Sequence, residues 1–340
     1  MENIKTVSVI GCGSFGTALA MLLSKNHKIV NVWLRDNEAV HAINNNHENP
    51  KYAPGIVLPE NIVASSNLEE VIKGSPLLFL TLPSKSFRSV TKEIGKYIEP
   101  DQILVTTTKG FEQGTFKSMS EIITEETCCL KVGALSGPNL AHEIMEGKPC
   151  GTVIGSHFEE VIHKVQISLG SRDIRVYGNQ DIYGVELAGT LKNIYAICSG
   201  ILHTKSLGEN TKSLMIARAL NEMSRFAAMF NANPSTFLGV SGVGDLIATC
   251  NSERSRNFRI GRDLSQGKSL EEAIASLGQV AEGVGMIKVV KEKADEIGIE
   301  MPIVNAMYKI VYEKQSIEKI LEDLMSMSQK SDVEYKFAKT

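Results

Sequence analysis

Two groups of residues in this chain have types and spacings suited to chemistry: a glycine-rich turn near the start, and lysine, arginine and carboxylate side chains set in otherwise apolar or glycine-rich stretches. Gly11, Gly13 and Gly16 form G-x-G-x-x-G directly after an apolar strand pattern and at the opening of a helical one. There the first glycine allows a tight turn, the second lets backbone approach a pyrophosphate, and the third packs helix on strand. The diphosphate of a dinucleotide would rest on the positive end of that helix. About 20 residues on, where such sites read the adenosine ribose, Arg35 and Asp36 stand side by side. Asp36 would accept from a free 2'-hydroxyl and favour NAD, whereas Arg35 would stack on adenine or hold a 2'-phosphate and favour NADP. An ordinary solvated charge is the plain alternative for each. The cofactor expected is NAD or NADP, with the preference open.

Lys109 follows Thr106, Thr107 and Thr108 at the end of another predicted strand, the side on which open α/β sheets bind ligands. Ser136, Gly137, Pro138 and Asn139 also follow a strand, and precede a helical Leu140 to Met145, so this turn offers backbone N–H groups. Further along, Lys192 sits among small and apolar neighbours in ELAGTLKNIYAI, where desolvation would lower a lysine pKa towards that of a useful base. A snorkelling lysine is the alternative. The run GVSGVGDLIAT, too glycine-rich for a plain helix, delivers Asp245 at a helix start, either as a site residue or as a cap. Ser255, Arg256 and Asn257 then open a helix with a guanidinium at its N-terminus, which is physically a phosphate site, with a basic solvated helix face as the alternative.

Positioning these residues takes two kinds of scaffold. Strands are expected at Val7 to Ile10, Ile29 to Leu34, Leu77 to Leu82, Ile103 to Thr107, Leu130 to Leu135, Gly151 to Ile154 and Ile174 to Tyr177. Helical stretches such as Phe15 to Lys25 and Leu68 to Ile72 lie between them, which is the plan of a doubly wound parallel α/β sheet. After about Gln180, helical windows take over: Asp181 to Leu202, Ser213 to Phe230, Leu270 to Ala275, Met286 to Ile297 and Ile317 to Met327. In the last, Ile317, Ile320, Leu321, Leu324 and Met325 recur on one face and read as core. The fold expected is α/β, an N-terminal dinucleotide-binding domain over 1–188 and an all-helical substrate-binding domain over 189–340, joined by a continuous helix near residue 188 with a cleft between the halves.

The 340 residues suit two domains rather than one core. With 36 Lys and Arg against 39 Asp and Glu, the net charge of -3 offers neither a nucleic-acid footprint nor a polybasic membrane surface. No apolar run approaches the length of a membrane helix and no secretory signal is readable, so the cytoplasm is the expected location. The six cysteines lack CxxC spacing and read as reduced and mostly buried. A homodimer is the expected assembly.

Taken in order, the series GCGSFG, TKG, LSGPNLAHE, ELAGTLKN, GVGDLIATC, RSRN and VAEG resembles the bacterial NAD(P)-dependent glycerol-3-phosphate dehydrogenases, from Val7 to about Met325. The resemblance implies reversible reduction of dihydroxyacetone phosphate to sn-glycerol 3-phosphate for phospholipid synthesis. It implies Lys192 as the general acid and base, and Lys109 in contact with both substrate and nicotinamide. Gly137, Asn139, Asp245, Ser255, Arg256 and Asn257 would hold the substrate with them. Ser14, Phe15, Arg35, Ala141, Arg256, Val280 and Glu282 would contact the cofactor. No metal is needed. Asn139 stands where the family usually has serine, and Ala188 and Thr190 replace a glycine and an alanine often found before the lysine. A hydroxyacid dehydrogenase of similar architecture acting on a carboxylate is the second enzymatic reading, against which RSRN argues for phosphate. A nucleotide sensor without turnover is the third, against which Lys192 and Asp245 speak.

Overall fold

The computed structural model describes residues 4–278 and 281–326. The chain falls into two compact units, Met1–Glu112 with Lys117–Glu186, and Gln113–Phe116 with Leu187–Thr340.

The first unit begins with β1 (Thr6–Ile10), α1 (Ser14–Leu23), β2 (Ile29–Trp33), α2 (Asn37–Asn46), and a small hairpin of β3 (Glu48–Asn49) and β4 (Ala53–Val57). It continues through β5 (Ile62–Ser65), α3 (Leu68–Ile72), β6 (Leu77–Leu80), α4 (Ser84–Ile94), β7 (Ile103–Thr106) and α5 (Met119–Glu126). Then come β8 (Lys131–Ser136), α6 (Ala141–Met145), β9 (Cys150–Gly155), α7 (Glu159–Leu169) and β10 (Ile174–Asn179). Eight strands form one sheet in the order β10-β9-β8-β7-β6-β1-β2-β5. From β5 to β8 every pairing is parallel. Those six strands take the 3-2-1-4-5-6 order of dinucleotide-binding sheets, whose order reverses between β1 and β6.

Alternation along the central strands makes the two faces. Val7, Val9, Leu77, Phe79, Ile103 and Val105 join one apolar cluster, while Ile10, Leu78, Leu80 and Leu104 join another. Strands buried on both faces explain the uninterrupted apolar runs that mark them in the sequence. Side-chain caps set several helix starts: Asp36 for α2, Asn67 for α3, and a Ser118–Glu121 capping box for α5.

Three features depart from the expected plan. The β3–β4 hairpin and β5, which closes one sheet edge, carry too few consecutive apolar residues to stand out as strands. β9 runs antiparallel to β8, because only the five-residue α6 links them and no long crossover helix carries the chain back across the sheet. Leu130 lies outside β8 and is exposed, so that strand starts one residue later than its apolar run.

The second unit is built from helices. α8 (Ile182–Thr204) contains the Glu186–Leu187 boundary and is followed by α9 (Gly208–Ala228), a 3-10 turn (Pro234–Leu238) and a π-helical turn (Val240–Gly244). After these come α10 (Asp245–Cys250), α11 (Arg256–Ser265), α12 (Leu270–Leu277), α13 (Glu282–Glu296), α14 (Pro302–Val311) and α15 (Ile317–Ser326). α14 is absent from the expected set because Pro302 reads as a breaker; at the first helical position it is instead compatible with the helix. The α15 stripe is core only in part, since Ile320 is buried but Met325 is 72% exposed. Among the described residues no helix is long and apolar enough to cross a membrane. All six cysteines are free thiols, and Cys128 is exposed.

Candidate functional site

In the first unit the glycine-rich turn leads from β1 into α1. Gly11 has φ +100, and a methyl group there would meet the Thr81 carbonyl at 2.9 Å. A methyl on Gly16 would sit 2.1 Å from the Gly11 carbonyl, so α1 rests directly on the turn. A methyl on Gly13 would meet nothing within 4 Å. One glycine therefore bends the chain, one seats the helix, and the middle one leaves open space over bare backbone, the cradle that a dinucleotide diphosphate requires. Ser14 and Phe15 form the first turn of α1, whose N-terminus has no side-chain cap.

At the end of β2 the Arg35 guanidinium lies 5.7 Å from the centre of the Trp33 ring. Asp36 accepts from the Glu38 and Ala39 N–H groups at 3.0 and 3.4 Å, so one of its carboxylate oxygens caps α2. Of the adjacent pair, Asp36 thus has a local structural duty, and Arg35 is exposed.

Lys109 and the β8 turn meet, with Lys109 Nζ donating to the Gly137 carbonyl at 3.2 Å. Gly137 has φ +153, and a methyl there would come within 3.0 Å of Thr152 Cα. The Asn139 amide is engaged at both ends by β9: Nδ2 donates to the Gly151 carbonyl at 3.0 Å, and Oδ1 accepts from Thr152 Oγ1 at 2.9 Å. Ala141 begins α6 and packs against the apolar cluster that includes α1.

The second unit gathers the remaining residues around α8. Gly184 to Leu202 are all buried, so this helix is surrounded on every side and Lys192 is only 5% exposed. Lys192 Nζ donates to Asp245 Oδ1, and to Thr249 Oγ1 at 2.7 Å. The Thr249 hydroxyl in turn donates to the Asp245 carbonyl at 2.7 Å. Asp245 is 1% exposed, so the ammonium and the carboxylate form a buried ion pair with a hydroxyl braced against it.

α11 approaches α8 through glycine. A methyl on Gly200 would lie 2.0 Å from the Phe258 carbonyl, and one on Gly261 would lie 1.9 Å from the Ile197 carbonyl. This contact fixes the start of α11 beside Lys192's helix. Ser255 caps it, accepting from the Phe258 N–H at 3.3 Å. Asn257 donates to Asn193 Oδ1 at 2.9 Å and accepts from the Gly283 N–H at 3.1 Å, joining α8, α11 and the first turn of α13. Arg256 begins α11 and is exposed, and Glu282 begins α13. Val280 lies outside the described residues.

Thr249 and Asn193 touch this cluster and were not singled out from the sequence. The signal for Thr249 is its position one helical turn after Asp245, on the same face; for Asn193 it is adjacency to Lys192.

A parallel sheet with the 3-2-1-4-5-6 order and an open glycine cradle, together with a helical unit holding a buried lysine–aspartate pair, defines an NAD(P)-dependent oxidoreductase. The profiles for the N- and C-terminal parts of NAD-dependent glycerol-3-phosphate dehydrogenase match residues 6–162 and 181–322. The chain belongs to that family. It is 48% identical over 328 residues to glycerol-3-phosphate dehydrogenase (NAD(P)+) of Alcanivorax borkumensis, covering 96% of each chain. With the Acinetobacter baylyi protein of the same name it shares 49% identity over 329 residues, or 97% of this chain and 92% of that one. The crystal structure of glycerol-3-phosphate dehydrogenase from Coxiella burnetii superposes with a TM-score of 0.91 at 30% identity, over 95% of this chain and 99% of the other.

Proposed function

We propose that the chain catalyses the reversible reduction of dihydroxyacetone phosphate to sn-glycerol 3-phosphate with NAD or NADP, and that Lys192 moves the proton at the C2 oxygen. The observation that carries this reading is the buried Lys192–Asp245–Thr249 cluster, held in the same unit as the arginine-bearing start of α11. When bound, the nicotinamide supplies the hydride or receives it. Lys192, oriented by Asp245, stabilises as its ammonium the negative charge that develops on the oxygen, protonates it, and takes the proton back in the reverse direction. Thr249 fixes the direction of the ammonium by accepting one of its three N–H groups.

The phosphate is assigned to Ser255, Arg256 and Asn257, where a helix N-terminus and a guanidinium combine. Asn257 spends its oxygen on Gly283 and one amide hydrogen on Asn193, so its contact with substrate uses the other hydrogen. Lys109 and Gly137 contact substrate from the β7 and β8 ends, and Asn139 contributes by keeping the Gly137 turn in shape. Ser14, Phe15, Arg35, Ala141 and Glu282 are assigned to the dinucleotide. Under this reading the protein supplies the glycerol phosphate of membrane phospholipids in the cytoplasm, where free thiols persist. The assembly expected is a homodimer, the commonest symmetric state among soluble oligomers.

Initial rates of NADH and NADPH oxidation with dihydroxyacetone phosphate test the reading. Turnover with at least one is expected, and no turnover in protein that binds the cofactor would sink the substrate assignment. Arg35→Ala should impair NADPH more than NADH if the guanidinium reads the 2'-phosphate, and equal losses would assign it to adenine stacking. Arg256→Ala should weaken substrate binding by about 2 to 4 kcal/mol, the scale of a lost charge-assisted contact. An unchanged KM and kcat would place the phosphate elsewhere.

A further inference from the structure

Three side chains donate hydrogen bonds to the carbonyls of the glycine-rich turn. Thr81 Oγ1 donates to the Gly11 carbonyl. Asn49 Nδ2 donates to the Cys12 carbonyl at 3.0 Å, and Thr17 Oγ1 donates to the Gly13 carbonyl at 2.9 Å. In a trans peptide the C=O and the following N–H point in opposite directions. Fixing the Cys12 and Gly13 carbonyls therefore aims the Gly13 and Ser14 N–H groups, which open the anion-receiving end of α1.

Asn49 is the distant member of this set, placed by the short strand β3 and only 1% exposed. Its Nδ2 also donates to Thr17 Oγ1 at 2.9 Å, so the Thr17 hydroxyl must accept there and pass its own proton to Gly13. One amide thus holds the Cys12 carbonyl directly and orients the hydroxyl that, together with the Thr17 N–H at 2.9 Å, holds the Gly13 carbonyl. Asn49 Oδ1 is buried and has no hydrogen-bond partner among the described residues, so the side chain is held by its donors alone.

We propose that Asn49 is a positioning residue for the dinucleotide, whose amide, acting on Cys12 and through Thr17, aims the peptide N–H groups that receive the cofactor's diphosphate. The inference rests on the dinucleotide seat assigned to this turn. Neither Asn49 nor Thr17 touches the ligand in this role, and a residue acting only on the fold would not distinguish a ligand with a diphosphate from one without.

The test uses the full chain and measures affinities for ADP and for adenosine by competition against NADH fluorescence, with NADH affinity and thermal midpoint recorded for each protein. The native protein should prefer ADP; no preference would refute the seat itself rather than the role of Asn49. Asn49→Asp keeps the shape but removes both donors and sets a carboxylate against the Cys12 carbonyl. It should weaken ADP by roughly tenfold to a hundredfold and leave adenosine unchanged. Thr17→Val, isosteric and apolar, should weaken ADP by about tenfold with the same selectivity, and it carries the test if the aspartate variant does not fold. Equal losses for ADP and adenosine, or no loss for ADP, in a folded variant of a native protein that prefers ADP would overturn the proposal.

Discussion

Lys192→Ala is expected to lower turnover by about 10⁴-fold while leaving NADH affinity near that of the native protein. General acid–base catalysis contributes roughly 10² to 10⁴, and stabilising the developing oxyanion contributes a comparable factor of about 10² to 10³. The two overlap because one group supplies both. Cofactor affinity is the control, because the glycine cradle belongs to the first unit and Lys192 to the second. The substitution also leaves Asp245 buried without its cation, so the variant's thermal midpoint must be recorded beside its kinetics. A folded Lys192→Ala protein with near-native turnover would remove the lysine from the mechanism.

Stability should rise as the pH is lowered from about 8 to about 5, on the order of 3 kcal/mol for each of two buried carboxyls. Burial pushes Glu186 and Glu222 up from the ordinary glutamate range to about 7. Glu186 accepts from the Ser120 N–H at 2.9 Å and from the Ser120 hydroxyl. Glu222 accepts from the Ile303 and Val304 N–H groups at 3.0 and 3.1 Å, and so caps α14. These hydrogen bonds favour the charged form, but desolvation outweighs them. Between the ordinary glutamate range and pH about 7 these two carboxyls bind more protons in the folded protein than in the unfolded chain. Their contribution to stability therefore falls as pH rises through that window. Denaturant midpoints at the two pH values check this, and a flat or rising profile would contradict it. Glu186→Gln should remove its share of the slope, because the Ser120 hydroxyl can accept from the amide and turn its proton to Ser118 Oγ, 2.9 Å away.

The site was legible where chemistry demands a particular residue in a particular local setting. Gly11 takes the positive-φ turn and Gly16 seats α1 as their spacing implies, and Ser255 caps α11 where the RSRN run places a helix start. Less legible were duties set by partners distant in sequence. Nothing around Asn139 or Asp36 announces that the first is clasped by β9 or that the second spends an oxygen on its own helix. Asn49 lies 37 residues from Cys12 in a two-residue strand, where no periodicity exists to be read. The same limit explains β5 and the reversed direction of β9, since a four-residue edge strand and a change of direction leave little pattern. The long helix α8 is the opposite case. Its apolar residues cover the whole circumference, and the element was evident from the sequence to within two residues at either end.

Phe116 gives the architecture a consequence for how the chain can be divided. It sits in the positive-φ region at 57°, stacked 5.3 Å from Phe230 and edge-on 5.9 Å from Phe226. It belongs to the second unit, although the residues before and after its short segment belong to the first. No single cut therefore yields two self-sufficient pieces. A fragment starting at Leu187 would lack one ring of its own aromatic cluster, and a fragment ending at Glu186 would carry that ring without Phe226 and Phe230. During synthesis Phe116 emerges long before the helices it packs on, so its ring waits for Phe226 and Phe230.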